Sequence, residues 1–589
     1  MKSNTKKTMW RHSFGIGFIL CTLSGLVLLS GCKVEQEKSL LRFEVSLAES
    51  ANQEIAGLGL QVPITGRVFV ILSRNDEVEP HQNISIIGNP LWGKNVWNYS
   101  PEQPVVIADK DDSVRGYPLD QIKNIPPGEY FVQAFLSVYT TFHRADGHIL
   151  EMHLNSGACQ HMFRSPGNAY SKPARMQLDP SSNKTLTLSM TEVIPPNQPL
   201  KEGEVLQQGN YDDTEWVKYI KIKSEHVSEF WEHDMYIGAN ILIPPGYDEH
   251  PDVYYPVIYM QGHSLYGWTP VPWMNKPWFK EGDEFYDLWT AGKLPKMIIV
   301  SFRDANPYYD TSYSVNSENV GPYGDAITEE LIPYLEENFR IIPKPWARVL
   351  SGRSTGGWEA LAVMVWYPDL FAGTWPWAPD PVDFRKYELI NIYEDNNAFY
   401  REYEWIKTHR PEKRDIDAQI RYSVKNTYQF EQTLGDKDRS GQQWAIWQAV
   451  YSPKGPGGYP KPLWDPETGD IDHEVAEYWK ENYDIRYKLE KNWATLGPKL
   501  TGKIHVAVGN MDNYYLNEAV YLLQDFLDST TDPPAKATFQ YGWIGKHSWI
   551  GHSPVDPSRE MTYAEFIPIV TDYITKNAPS GADTSSWKY

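Results

Sequence analysis

The segment Val349 to Trp358 limits the folds open to this chain more than any other part of the sequence. A short apolar run enters Gly352-Arg353-Ser354-Thr355-Gly356, and apolar residues at helical spacing follow until Pro368. A serine at the tip of a sharp strand-to-helix turn needs glycine two residues before and after it, because larger side chains would collide with the backbone. The pattern predicts that Ser354 is a nucleophile on such a turn. An ordinary glycine-rich turn is the alternative.

The first 31 residues differ from the rest of the chain and predict export. Basic residues precede an apolar run, which ends in Leu29-Ser30-Gly31-Cys32. That ending resembles the lipobox of bacterial lipoproteins, which implies cleavage before Cys32 and acylation of its thiol. A plain signal peptide or an uncleaved anchor is the alternative. We expect an exported lipoprotein, anchored in the periplasm or at the outer-membrane or cell surface.

Charge and composition limit the classes of partner and cofactor that this chain is expected to bind. The full sequence of 589 residues carries a net charge of −21, and loss of the leader would make the balance more negative. Such a chain should not bind nucleic acid, and we expect it to meet the membrane only through the lipid anchor. Without an intact zinc or calcium motif, the sequence predicts neither a metal nor another cofactor. It leaves the oligomeric state open.

Two regions follow the leader. From residue 32 to 200, short strand-like runs such as Gly66–Leu72, Tyr130–Phe135 and Thr185–Met190 alternate with turn residues, which predicts a β-sandwich-like domain and a proline-rich linker. From 201 to 589, strands alternate with helices, which predicts an α/β domain. This alternation lapses from about 383 to 498, where we expect a large aromatic-rich cap insertion.

The second region resembles the esterase D-like branch of the α/β-hydrolases, which includes enterochelin esterases and carbohydrate esterase family 1. The resemblance rests on several motifs in the family's order: Pro244-Pro245-Gly246-Tyr247, Tyr255-Pro256-Val257-Ile258-Tyr259, Tyr323-Gly324-Asp325, Gly352-Arg353-Ser354-Thr355-Gly356-Gly357 and Tyr367-Pro368-Asp369-Leu370-Phe371. It implies an α/β-hydrolase fold and a triad in the order serine, acid, histidine. Asp512, just beyond a predicted strand, and His547, after the last one, match the acid and the histidine.

The resemblance also points to an oxyanion hole. The first donor would be the backbone N–H of Thr355 at the start of the helix. Relatives commonly carry His-Gly after an early strand, whereas this chain has Gln261-Gly262-His263, so the backbone N–H of His263 would be the second donor. Arg353, His552 and Trp268 are candidate substrate contacts. His552 could instead replace His547 as the histidine of the triad, and a buried salt bridge is at least as good an interpretation of Arg353.

These features predict a serine esterase that acts on a small-molecule or glycan ester, with an acetyl, feruloyl or other acyl group. The tryptophans of the cap and of the loop after His263 could stack on sugar rings or aromatic acyl groups, or could simply fill a core; they are Trp405, Trp444, Trp447, Trp464, Trp479, Trp493, Trp268, Trp273 and Trp278. A serine peptidase of related fold and a glycan-binding surface lipoprotein without catalysis are the two other function classes.

Overall fold

The computed structural model describes residues 41–154, 162–263 and 283–589. The N-terminal region contains one α-helix, α1 (Glu49–Gly57), among its described residues. Its strands are β1 (Arg42–Leu47), β2 (Ile64–Ser73), β3 (Leu91–Tyr99), β4 (Val105–Ile107), β5 (Arg115–Tyr117), β6 (Gly128–His143), β7 (Ile149–Met152), β8 (Ala169–Tyr170), β9 (Ala174–Leu178), β10 (Thr185–Met190) and β11 (Glu192–Val193).

These strands form two sheets with a shared core. The smaller sheet has the order β10-β1-β4, and the larger has the order β11-β8-β6-β2-β3-β5, with β7 and β9 also paired to β6. Phe43 and Val45 of β1 belong to the same buried apolar cluster as Val68 and Val70 of β2. Alternate residues of facing strands therefore fill one interior. The predicted β-sandwich-like region is confirmed.

The second region is built on one mixed sheet. Its strands are β12 (Val217–Lys223), β13 (Tyr236–Leu242), β14 (Val257–Gln261), β15 (Ile298–Arg303), β16 (Asn316–Ser317), β17 (Gly321–Pro322), β18 (Arg348–Arg353), β19 (Gly373–Trp377), β20 (Tyr400–Glu402), β21 (Lys407–His409), β22 (Pro411–Arg414), β23 (Ile420–Ser423), β24 (His505–Gly509) and β25 (Thr538–Gly542). Its helices are α2 (Glu225–Trp231), α3 (Glu284–Thr290), α4 (Tyr323–Asp325), α5 (Ile332–Asn338), α6 (Thr355–Trp366), α7 (Val424–Leu434), α8 (Gln443–Tyr451), α9 (His473–Tyr483), α10 (Ile485–Leu500), α11 (Asn517–Ser529) and α12 (Tyr563–Asn577).

The order of the main sheet is β12-β13-β15-β14-β18-β19-β24-β25. β12 and β13 are antiparallel, and the ladder from β15 to β25 is parallel. β14, β15 and β19 are buried along their whole length, and their mainly apolar sequences suit burial on both faces of the sheet. The parallel strands end at one edge of the sheet, where loops of α/β proteins carry their sites. The predicted α/β-hydrolase fold is confirmed.

Ile327, Leu331, Leu335 and Phe339 recur every fourth residue, which predicts a regular amphipathic helix before the strand-to-helix turn of Ser354, here called the elbow. The structure differs from this prediction. α4 continues into a π-helical stretch, Ala326–Leu331, before α5 begins at Ile332. Pro333 lies in the first turn of α5 and has no N–H to donate to the preceding turn. The proline therefore interrupts the regular hydrogen-bond ladder here, and periodicity alone does not reveal such an interruption.

The predicted cap lies between β19 and β24 and carries β20 to β23 and α7 to α10. It packs against the N-terminal sandwich through buried guanidinium groups. Arg67 Nε donates to the Thr433 carbonyl at 3.0 Å, and Arg439 Nη1 donates to the Glu151 carbonyl at 3.0 Å. Residues 39–589 form one compact unit, and a domain boundary at residue 200 stays a prediction.

Several predictions fall outside the described residues. They concern the leader 1–31, the acylated Cys32, and Trp268, Trp273 and Trp278. Across the described ranges, no helix is both long enough and apolar enough to span a membrane.

Candidate active site

Ser354 stands between β18 and α6 in a backbone conformation that side chains rarely adopt. Its φ is 59° and its ψ is −123°. The turn is fixed on both sides, because the Ser354 N–H donates to the Trp377 carbonyl at 2.9 Å and its own carbonyl accepts from Gly357 and Trp358 at the start of α6. Strain of this kind persists only where the surroundings impose it, and it occurs often at functional residues.

The two glycines of the motif occupy positions without room for a side chain. A Cβ on Gly352 would lie 2.2 Å from the Gly356 carbonyl oxygen, and a Cβ on Gly356 would lie 2.0 Å from the Gln261 carbonyl oxygen. Both neighbours are backbone atoms, which cannot rotate away. The physical reason given for the sequence motif therefore holds in the structure.

His547 and Asp512 form a hydrogen-bonded pair at the same edge of the sheet. His547 Nδ1 lies 2.7 Å from Asp512 Oδ2, and Asp512 is fully buried while the His547 side chain is 20% exposed. Asp512 Oδ1 also accepts backbone N–H bonds from Tyr514 at 2.8 Å and Leu516 at 3.2 Å. These bonds fix the carboxylate, and the carboxylate in turn orients the imidazole so that Nε2 is free to act.

Ser354 and His547 line one cavity of about 460 Å³ between the sheet edge and the cap. The Ser354 hydroxyl makes a hydrogen bond of 3.3 Å to Asp380 Oδ1. Ser354 and His547 thus line the same cavity on its floor, the side formed by the sheet edge, and Asp512 is hydrogen-bonded to His547. Their assignment as a catalytic triad stays a prediction that this geometry favours.

Asp380 is a site residue that the sequence reasoning missed. It follows β19, is almost completely buried, and accepts hydrogen bonds at Oδ2 from Tyr313 at 2.7 Å and Trp447 at 3.2 Å. Burial raises the pKa of Asp380, and the Tyr313 hydrogen bond and the charge of His547 oppose that rise. The sequence feature that could have indicated Asp380 is its place just beyond β19, the strand that pairs with β18.

The segment predicted to supply the second oxyanion donor lies beside the elbow. The register pairs Gln261 of β14 with Gly352 of β18, and His263 follows two residues later and lines the cavity. The His263 ring contacts a different group from the one its backbone N–H would bind, since Nδ1 lies 3.0 Å from Asp310 Oδ1. Burial lowers the pKa of His263, but the Asp310 charge and hydrogen bond raise it more, so the pKa is raised overall. The backbone donors Thr355 and His263 stay predictions.

The candidate substrate contacts have different positions. Arg353 lines the cavity and donates to the Ser548 carbonyl at 3.2 Å. His552 does not contact the cavity in the described part of the chain: its ring nitrogens lie 2.9 Å from the Pro557 carbonyl oxygen and 3.1 Å from that of Tyr541. His552 is therefore engaged with backbone, which short sequence distance from His547 does not reveal. Trp268 lies outside the described residues.

The cap tryptophans divide between the two predicted roles. Trp444 and Trp447 are buried but line the cavity. Trp464 and Trp479 are fully buried in the core, and Trp405 is 86% exposed. Trp493 is half-buried against Phe526.

The cap also places carboxyl groups over the nucleophile, which sequence reasoning did not anticipate. Glu388, Glu412 and Glu431 are buried and line the cavity. Burial raises the pKa of Glu412 to about 8 and that of Glu431 to about 7. Among the described residues, no group of three or more His, Cys, Asp or Glu side chains is arranged to hold a metal ion.

The strand order, the strained serine and the buried histidine–aspartate pair define the class of protein as an α/β-hydrolase. Residues 232–424 match the family model described as putative esterase. An endo-1,4-beta-xylanase/feruloyl esterase of Xylanibacter ruminicola is 27% identical over 143 residues, which cover 23% of this chain and 18% of that relative. The chain thus matches less than a fifth of the length of this curated relative. The predicted resemblance to esterase D-like and carbohydrate esterase family 1-like proteins is confirmed.

Solved structures with related folds were also found. A ferulic acid esterase is 14% identical, with a TM-score of 0.32 over 62% of this chain and 99% of its own. An S-formylglutathione hydrolase from Agrobacterium tumefaciens is 12% identical, with a TM-score of 0.31 over 62% and 95%. A putative dipeptidyl aminopeptidase IV from Bacteroides ovatus is 10% identical, with a TM-score of 0.35 over 83% and 56%. Likenesses at this level decide nothing about substrate.

Proposed function

We propose that the protein is a serine esterase that removes acyl groups of acetyl or feruloyl type from carbohydrates. The observation that carries this proposal is the position of Ser354 on a strained turn in the same cavity as His547, which is held by buried Asp512. The esterase family match and the xylanase/feruloyl esterase relative support the ester and carbohydrate parts.

The proposed reaction has two steps. His547 Nε2 takes the proton from the Ser354 hydroxyl as its oxygen attacks the ester carbonyl, and the same proton passes to the leaving alcohol when the carbon–oxygen bond breaks. Water then attacks the acyl-enzyme, His547 takes a proton from it, and Ser354 leaves with that proton as the acid is released. The backbone N–H groups of Thr355 and His263 would stabilise the negative oxygen in each step.

The proposal extends to the place where the protein works. The leader and the sequence ending in Cys32 support an exported lipoprotein held at a membrane by its acylated N-terminus. A Cys32→Ser variant should lose membrane fractionation and the mass of the acyl chains. If the variant stays in the membrane fraction, the anchor assignment is wrong.

The first test is hydrolysis of 4-nitrophenyl acetate by residues 33–589, compared with Ser354→Ala and His547→Ala variants. The parent should turn over the ester and react with a serine-directed phosphonate, and both variants should lose activity by several orders of magnitude with unchanged circular dichroism. If the parent neither hydrolyses the ester nor takes up the phosphonate, the glycan-binding alternative replaces the esterase. Preferred turnover of a peptide substrate would favour the peptidase.

A further inference from the structure

Three polar atoms in the cap part of the cavity form no hydrogen bond of good geometry within the described residues. They are Glu388 Oε2, Glu412 Oε2 and Thr427 Oγ1. All three residues are more than nine-tenths buried. A buried polar atom without a partner costs free energy, so native proteins retain such atoms where a ligand or water completes them. Thr427 and Trp444 partly stabilise the Glu412 carboxyl group, and their hydrogen bonding opposes the rise in its pKa that burial causes. Glu388 Oε2 has no such neighbour among the described residues, so it points most directly to a polar ligand in the cavity.

Glu388 carries a second sign of function. Its φ is 53°, in the left-handed region that a residue with a side chain seldom adopts. Burial raises the pKa of Glu388 well above its usual range, and the charges of Glu412, Asp380 and Asp512 raise it further. The carboxyl group thus lies within electrostatic reach of the catalytic floor as well as of the cap.

We propose that Glu388, Glu412 and Thr427 form a subsite that binds the hydroxyl groups of a sugar ring beside the scissile ester. This inference rests on the proposed esterase function and assigns residues to its alcohol side. Carboxyl groups and a hydroxyl can each accept or donate hydrogen bonds, which is the pattern that neighbouring sugar hydroxyls require. A cavity of about 460 Å³ has the size of a small-molecule site and is large enough for a sugar ring with its acyl group.

Neutral hydroxyl groups fit this subsite better than an ammonium group. Because the pKa values of Glu388 and Glu412 are raised, the pair does not present two full negative charges at neutral pH. Basic side chains line the same cavity and would repel a cation; they are Arg353, Lys413 and Lys546. The rings of Phe430 and Trp444 provide the apolar faces against which a sugar ring packs.

The test compares two kinds of ester in the same variants. 4-Nitrophenyl acetate has no hydroxyl groups and reports on the nucleophile alone, whereas mono-O-acetylated methyl glycosides of several neutral sugars would occupy the subsite. Glu412→Leu and Thr427→Val should lower kcat/KM for the best sugar ester by about 10- to 100-fold and leave 4-nitrophenyl acetate within about 3-fold. Glu412→Gln keeps a donor and an acceptor and should remain within about 3-fold for both. Glu404→Gln, an exposed cap position, is the matched control.

Two outcomes would overturn the subsite. Equal losses for both esters in Thr427→Val would show a structural role. A loss in Glu412→Gln as large as in Glu412→Leu, together with preference for an amine-bearing ester, would show an ammonium site instead. If Glu412→Leu does not fold, Thr427→Val alone decides.

A binding measurement separates this inference from the proposed reaction. Ser354→Ala protein, titrated with the corresponding free methyl glycosides, should show a change in tryptophan fluorescence, because Trp444 and Trp447 line the cavity. Thr427→Val in that background should weaken binding by about 10-fold. Binding without any ester turnover by the parent would refute the esterase and retain the subsite. Turnover of 4-nitrophenyl acetate without binding of any glycoside would retain the esterase and refute the subsite.

Discussion

Replacing Ser354 with glycine should stabilise the protein while it abolishes activity. The φ of 59° and ψ of −123° at Ser354 suit glycine. A conformation of this kind costs a residue with a side chain about 1–3 kcal/mol. Glycine in turn costs about 0.4–1 kcal/mol through the larger entropy of the unfolded chain. The net gain for Ser354→Gly over Ser354→Ala is therefore about 0.5–2 kcal/mol, because alanine keeps the Cβ and the strain.

The comparison between the two inactive variants isolates the free-energy cost of the backbone conformation, since both variants lose the hydroxyl group and its hydrogen bond to Asp380. With an unfolding entropy of about 2.1 cal/mol/K per residue and a cooperative unit of roughly 500 residues, the gain corresponds to about 0.5–2 °C in Tm. Differential scanning calorimetry of both variants and the parent would measure it, with 4-nitrophenyl acetate hydrolysis as the activity assay. A Ser354→Gly Tm at or below that of Ser354→Ala would refute the assignment of strain to this residue.

Three further predictions concern the neighbouring groups. Asp512→Asn should lower kcat by about 10³- to 10⁴-fold through loss of the histidine's orientation, whereas Asp380→Asn should lower it less than 100-fold; equal losses in ester turnover would contradict the choice of acid. The raised pKa of Glu412, about 8 against 4.5 unfolded, means that the folded state binds more protons, so its contribution makes the free energy of unfolding fall as pH rises between these values. Glu412→Gln should make this decrease in the free energy of unfolding smaller by about 1–5 kcal/mol. Urea titrations at pH 5 and 9 measure the decrease in variant and parent, and an equal decrease in both would exclude the contribution of Glu412. Gly356→Ala should lower both stability and activity because its Cβ meets backbone at 2.0 Å, whereas Gly57→Ala, with nothing within 4 Å, should leave both unchanged; similar thermal melts and ester turnover in the two would count against the packing argument.

Most of the hydrolase sheet could be predicted because its strands have a strong local signature. β14 and β24 are mainly apolar runs, and the elbow glycines follow from sterics within a few residues. The irregular helix before the elbow could not be predicted in the same way. Its π-helical stretch depends on how Pro333 interrupts hydrogen bonds that apolar spacing does not represent.

Only the site residues that lie just beyond the end of a strand could be predicted from the sequence. Ser354, Asp512 and His547 each lie just beyond a strand of the parallel ladder, so topology brings them to one edge. Glu388 and Glu412 lie in the insertion, where no periodic pattern indicates which side chains will be buried. Their unpartnered oxygens become visible only once the cap is placed over the nucleophile.

The two halves of the cavity depend on different parts of the chain, and this separates the reaction from its specificity. The floor is fixed by the sheet edge. The roof, formed by the cap, includes Thr427 of α7 and Trp444 of α8. The family match ends at residue 424, so both residues lie beyond it. α7 is also the helix whose Thr433 carbonyl accepts from Arg67 of the N-terminal sandwich. The sandwich therefore holds the roof in place without supplying a reacting group. A change in the sandwich should alter how tightly a sugar ester binds before it alters how fast the bare ester is cleaved.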